Sequence, residues 1–242
     1  NRSMRSEQRR PVSARTVFFD VDFTLIYPGS KFDGEGYRRF GARHGLKIDP
    51  SVFTEAVASA SVELDTRWDD LYRPEIFIRY ARCLLENMGG VGPSLDTCAR
   101  EIYDEWAVCA NFLLYDDVRP MFELLCTEDV RIGLISNTHR CLQTFQSHFK
   151  LERYIVAALS SSEHGYMKPH PSIFEAALKL VDASPTESVM VGDSINHDIR
   201  GAQQVGMQGV LIDRMGNGVA HNDEQIPVIQ SLLQLPVVLR DL

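Results

Sequence analysis

From residue 117 onward the sequence alternates between short β-rich apolar runs and helical stretches, and this alternation leaves few folds open. Residues 119–127 carry a helical pattern, 131–135 read as a strand, 140–149 are amphipathic, and 154–159 are apolar again. The rhythm continues with a helix at 171–181, a strand at 188–191, a helix at 198–205, a strand at 209–212 and an expected C-terminal helix near 224–233. Strands that take turns with helices form right-handed βαβ units, so the sheet is parallel and covered on both faces. An earlier β-type run, residues 16–25, supplies the first strand, but residues 34–110 then hold four helical patterns and no clear strand. Pro50-Ser51 and Pro74 mark helix starts there, and Gly89-Gly90 a stop. The expected fold class is α/β: a doubly wound parallel sheet with a small all-α domain inserted after its first strand.

In open parallel sheets ligands bind beyond the carboxyl ends of the strands, at the switch point of the strand order. Polar residues should therefore follow each strand, and they do. The first strand ends in Asp20 and Asp22 with a hydroxyl at Thr24; the 131–135 strand ends in Ser136-Asn137-Thr138; the 188–191 strand ends in Gly192-Asp193-Ser194, with Asp198 beyond. Side chains two apart share a strand face, so that spacing sets Asp20, Asp22 and Thr24 together. Two acids so close repel unless a cation holds them, and Mg²⁺ takes carboxylate oxygens while keeping waters that a phosphate can replace. Asp20 is the candidate nucleophile. Asp22 is the candidate general acid and base. Asp193 would complete the metal site. Asp198 either supports that site, binds Mg²⁺ directly, or favours the N-terminus of the following helix. Ser136 and Asn137 open a loop before a helix, a setting that suits a phosphate. Lys168, pinned between two strand ends by Pro169 and Pro171, supplies a compact charge for phosphoryl oxygens. The plain alternative for Asp20 and Asp22 is a polar turn after a strand.

Composition narrows the partners. With 242 residues, 44% of them hydrophobic, and a net charge of −8, the chain is globular and carries no overall basic face for nucleic acid. The one basic cluster, Arg2, Arg5, Arg9, Arg10 and Arg15, has no apolar period, so residues 1–14 are expected to be a disordered tail. No long apolar segment supports a membrane partner. Five cysteines without close-paired spacing fit reduced thiols, mostly in the core, and a cytoplasmic setting. Nothing in the sequence decides between monomer and homodimer.

The ordered set of strand-end residues resembles the haloacid dehalogenase-like (HAD) hydrolase superfamily over nearly the whole chain. Its first motif is similar to Asp20-Val21-Asp22-Phe23-Thr24-Leu25, its second to Ser136 with Asn137, its third to Lys168-Pro169, and its fourth to Gly192-Asp193-Ser194 with Asp198. The resemblance implies a Rossmann-like core, residues 15–27 and 116–242, and a helical cap domain, residues 28–115, that closes over the site. It further implies Asp20 as nucleophile and metal ligand, Asp22 as acid and base with its backbone carbonyl on Mg²⁺, Asp193 as metal ligand, and phosphate contacts from Ser136, Asn137 and Lys168, with Thr24 and Asp198 in support. The expected activity is Mg²⁺-dependent hydrolysis of a small phosphate monoester through an aspartyl-phosphate. A phosphotransferase or mutase is the enzymatic alternative, and a phospho-accepting signalling module the non-enzymatic one. The dehalogenase branch generally lacks an acid at the second motif-one position, so Asp22 argues against carbon–halogen cleavage. Phe23 departs from the family, many of whose members have Gly there. Arg67, Trp68, Tyr72 and Arg73 form a basic aromatic cluster better explained by packing and solvated charge than by substrate contact.

Overall fold

The computed structural model describes residues 15–65, 69–216 and 226–242. The expected N-terminal tail and the Arg67-Trp68 half of the basic cluster lie outside the described residues.

Strand β1 (Thr16–Phe19) runs into a tight turn and then β2 (Ile26–Pro28). Five helices follow: α1 (Gly34–Arg43), α2 (Phe53–Ala60), α3 (Val62–Asp65), α4 (Pro74–Asn87) and α5 (Leu95–Trp106). Strand β3 (Phe112–Leu114) then returns antiparallel to β2, with Ile26 opposite Leu114. The remaining elements are α6 (Val118–Thr127), β4 (Arg131–Ser136), α7 (Leu142–Phe149), β5 (Ile155–Ser160), α8 (Ser161–His164), α9 (Pro171–Leu180), β6 (Ser188–Gly192), α10 (Gly201–Gln204), β7 (Gln208–Ile212), β8 (Val228–Ile229) and α11 (Leu235–Asp241). Six strands make one sheet in the order β5-β4-β1-β6-β7-β8, and every pairing in it is parallel.

The sequence explains most of these choices locally. Asp33 caps α1 by accepting from the Gly36 N–H at 2.7 Å. Pro74 opens α4, where its missing N–H costs nothing, and Gly89 at φ +91° follows the end of that helix. Within β1 the side chains alternate. Val17 and Phe19 join the larger apolar cluster with Met121, Phe122 and Leu125 of α6, whereas Phe18 joins the opposite one with Ile173 and Phe174 of α9. All three are fully buried, and each buried Phe contributes roughly 1.5–3 kcal/mol. The larger cluster continues without a break into the inserted helices through Phe40, Leu84, Leu85 and Ile102.

Four expectations change. The C-terminal helix near 224–233 is instead β8, a 3₁₀ turn at Leu232–Gln234, and α11. Pro236 sits in the first turn of α11, and Val228 and Ile229 pair with β7, with Ile229 buried there and Val228 exposed. The amphipathic stretch 140–149 becomes helical only at Leu142, leaving Arg140 in a loop. Residues 195–200 form a π-helical turn ahead of α10. Of the five thiols, all free, only Cys98 and Cys109 are buried; Cys126, in the last turn of α6, and Cys141, just before α7, are exposed. Among the described residues no helix is long and apolar enough to cross a membrane.

Candidate active site

The strand order puts β1 at the centre. The chain leaves β1 for β4 on one side and β6 for β7 on the other, so the crevice at the carboxyl ends of β1 and β6 is the switch point. Strand β1 ends at Phe19, one residue before the first carboxylate, so strand alternation does not group Asp20, Asp22 and Thr24. A turn does. The Asp20 N–H is tied to the Val191 carbonyl of β6 at 2.9 Å, and the N–H groups of Leu25 and Ile26 both turn back onto the Val21 carbonyl. Asp20 and Asp22 then face one cavity, together with Ser136, Asn137, Lys168, Asp193 and Asp198.

Lys168 organises its floor. Its Nζ donates to Asp20 Oδ1 at 2.6 Å, to Asp198 Oδ1 at 2.6 Å and to the Ile135 carbonyl at 2.8 Å. All three N–H groups are thereby spent within the protein, so Lys168 first balances the two acids and reaches a phosphoryl oxygen only by exchanging one of these contacts. The second oxygen of Asp198 accepts from the Ser194 N–H at 3.0 Å. Asp198 can lie so close because residue 192 is glycine: a Cβ there would meet Asp198 Oδ2 at 2.2 Å. Thr24, buried behind Asp20, donates to Asp20 Oδ2 at 3.4 Å.

Asp20, Asp193 and Asp198 bring carboxylate oxygens within 4.8 Å of one another. Ionised together with Lys168, they leave two negative charges in excess. Burial, with the charges of Asp198 and Asp22 adding to it and Lys168 opposing, pushes Asp20 up to about 7. Asp193 keeps contact with the cavity solvent, yet desolvation and then the charges of Asp20 and Asp198 hold it well above the ordinary carboxylate range. Burial alone would lower Lys168, but Asp198 and Asp20 outweigh it and hold the ammonium above its usual value. Hard oxygen donors, two surplus negative charges and crowded acids fit a small dication such as Mg²⁺. The side chain that joins Asp20 and Asp193 in this set is Asp198, not Asp22.

Asp22 is held elsewhere. Arg140, 2% exposed, donates from Nη1 to Asp22 Oδ2 at 3.0 Å and from Nη2 to Asp22 Oδ1 at 3.1 Å. The same Nη2 reaches the Trp106 carbonyl at 2.8 Å, and the guanidinium lies 4.3 Å from the centre of the Phe112 ring. Arg140 thus joins the loop after β4, the turn after β1 and the end of the helical insertion. Sequence reading missed it, because a lone Arg at a helix start gives no signal and its partner lies 118 residues away. Asn137 also has a different first task. Its amide donates to the Lys168 carbonyl at 3.0 Å and accepts from the Lys168 N–H at 2.7 Å, so it fixes the lysine's backbone. Ser136, 1% exposed at the tip of β4, remains directed to the cavity. Of the basic aromatic cluster, Tyr72 meets the Tyr103 hydroxyl at 2.5 Å and Arg73 pairs with Asp69 at 2.7 Å on the surface.

Known proteins are similar to this chain in sequence and in overall fold. The chain is 30% identical over 219 residues to haloacid dehalogenase-like hydrolase domain-containing protein 3 of Xenopus laevis, covering 83% of this chain and 85% of that protein. It is 28% identical over 247 residues to the N-acylneuraminate-9-phosphatase of Rattus norvegicus, covering 94% of each. Its fold is similar to that of the magnesium-bound HAD-hydrolase YfnB from Bacillus subtilis, with a TM-score of 0.69 at 18% identity over 93% of this chain and 98% of that one. The haloacid dehalogenase-like hydrolase family matches residues 14–206, a span that takes in all four strand-end motifs, and the chain belongs to that family as one of its phosphatases.

Proposed function

We propose that the chain hydrolyses a phosphate monoester by passing the phosphoryl group through Asp20, with residues 28–115 as a cap over a core of residues 15–27 and 116–242. The observation that carries this reading is the Lys168 bridge between Asp20 and Asp198 at the switch point, with Asp193 completing a three-acid cluster. Mg²⁺ bound among these acids would neutralise the clash between carboxylate and phosphate. Lys168 holds one Asp20 oxygen in place while the carboxylate attacks phosphorus and the bond from phosphorus to the ester oxygen breaks. Asp22 gives its proton to the departing alkoxide. It then takes a proton from the water that attacks the aspartyl-phosphate, and phosphate leaves as the bond to Asp20 breaks. Arg140 fixes the orientation of Asp22, while Ser136 faces the phosphoryl oxygens. Cytoplasmic residence and a small-molecule substrate, without nucleic acid or membrane, complete the reading. Asp20→Asn should abolish phosphate release at an unchanged melting profile, and chelation of divalent metal should abolish it in the parent protein. Release by either sample at the parental rate would refute the proposal.

A further inference from the structure

Phe23 sits beside the nucleophile in a conformation that folding alone does not favour. Its φ is +60°, in the left-handed region where a side chain is strained and Gly is at ease, and its ring is 52% exposed. Its N–H is locked onto the Ile26 carbonyl at 2.7 Å, so the turn keeps it there. An exposed aromatic ring on strained backbone points to a role in function, since neither feature stabilises the fold. The ring lines the same cavity as Asp20 and Asp22.

That cavity measures about 860 Å³, within the range that takes drug-sized ligands and far beyond the needs of a phosphoryl group. Away from the acids its lining is rich in aromatic side chains: Phe53, Phe77, Tyr80, Trp106 and Phe112 line it together with Phe23. Charge narrows the ligand further. Among the described lining residues the lysine and the arginine, Lys168 and Arg140, are both spent on carboxylates, and Asp33 adds a negative charge that caps α1. Among the described lining residues a second anionic group would meet Asp33 and find no ammonium or guanidinium that is not already paired with a carboxylate; the other basic side chains there are the imidazoles of His197 and of His139, which desolvation and Arg140 hold below its usual value.

Building on the phosphatase reading, we infer that the alcohol half of the substrate is bulky, uncharged and largely apolar, and that it packs on Phe23 within the aromatic chamber. The favoured class is the phosphate monoester of a long-chain or aryl-alkyl primary alcohol, over triose phosphates, bisphosphates and phospho-acids.

The test separates binding from turnover. Titration calorimetry of the Mg²⁺-loaded protein with alkylphosphonates from ethyl to octyl should show affinity rising about threefold to fourfold per methylene, with an increasingly negative heat-capacity change. A flat series overturns the inference, as does a 4-carboxybutylphosphonate that binds as tightly as pentylphosphonate. In Phe23→Gly the octyl-to-ethyl affinity ratio should fall about tenfold, while the melting temperature holds or rises because Gly accepts a φ of +60°. An unchanged ratio in that variant removes Phe23 from the site. Phosphate release from the matching alkyl phosphates is scored separately: affinity that rises with chain length without any release upholds the chamber and sinks the catalytic reading, and release that ignores chain length does the reverse.

Discussion

Arg140 meets Asp22 with two parallel N–H···O contacts at 3.0 and 3.1 Å, a fork that matches a carboxylate and that lysine cannot reproduce. Arg140→Lys keeps the charge and loses the geometry. General acid–base chemistry contributes roughly 10²–10⁴ in rate, and a misaimed donor forfeits part of it. The expected result is a fall in kcat of about 10- to 100-fold with KM within about threefold, measured by phosphate release under saturating Mg²⁺. An unchanged kcat would show that Asp22 needs no fork. Asp20 and Asp193 were legible in the sequence, because each directly follows a strand end and that position is a local property, whereas Asp22 and Asp198 are brought in by the turns that follow. Arg140 was not, since its meaning depends on a contact across 118 residues. Asn137 was half legible. Its place after β4 was right, but the reach of its amide to the Lys168 backbone belongs to the folded loop.

One carboxylate ties three elements together at the opposite side of the motif-one turn. Asp117, just before α6, accepts from Arg214 Nη1 at 2.5 Å, from the Ser231 hydroxyl at 2.7 Å and from the Leu232 N–H at 2.9 Å. Arg214 in turn donates to the Thr24 carbonyl at 2.5 Å and stacks 3.9 Å over the Tyr115 ring. Burial alone would raise Asp117, yet Arg214, Ser231 and the Leu232 N–H outweigh it and hold the carboxyl below its usual range. A depressed folded value means the contribution is complete above the unfolded pKa near 3.9 and is lost as pH falls through the folded value. Asp117→Asn should therefore destabilise by about 2–4 kcal/mol at neutral pH. Thermal melts should show the gap to the parent protein closing below about pH 4; a gap constant down to pH 2 would show that the carboxylate's charge plays no part. The C-terminal elements in this tie were misread for an identifiable reason. The apolar spacing over 224–233 resembles a helix, but Pro236 in the first turn of α11 and the reciprocal Ser231–Gln234 cap place the helical start later, and both signals were present in the sequence. The β2–β3 pair had no such signal: three residues on each side form a strand only because the insertion brings their ends together.

At the scale of the molecule, the alternation after residue 117 was enough to give a parallel sheet, because each βαβ unit has one permitted hand. The length and helical character of the insertion were equally visible. What no local pattern conveys is that both parts share one apolar cluster: Val17, Phe19 and Phe122 around the sheet connect through Leu25, Ile26 and Phe112 to Phe40, Leu84 and Ile102 of the insertion. Two bodies joined only by linkers would melt apart, whereas a shared core couples them. The expectation is a single thermal transition, with near-ultraviolet and far-ultraviolet circular dichroism coinciding. Mg²⁺ at 100 times its Kd should shift that transition as a whole, since a ligand bound at the tips of β1 and β6 adds about 2.7 kcal/mol to the native state, or roughly 5–10 °C for a chain of this size. Asp193→Asn removes one of the three clustered acids and should lose most of that shift while keeping the single transition. Two resolved transitions, with Mg²⁺ moving only one, would mean that contacts through Leu25, Ile26 and Phe112 are too weak to make the insertion and the sheet fold as one.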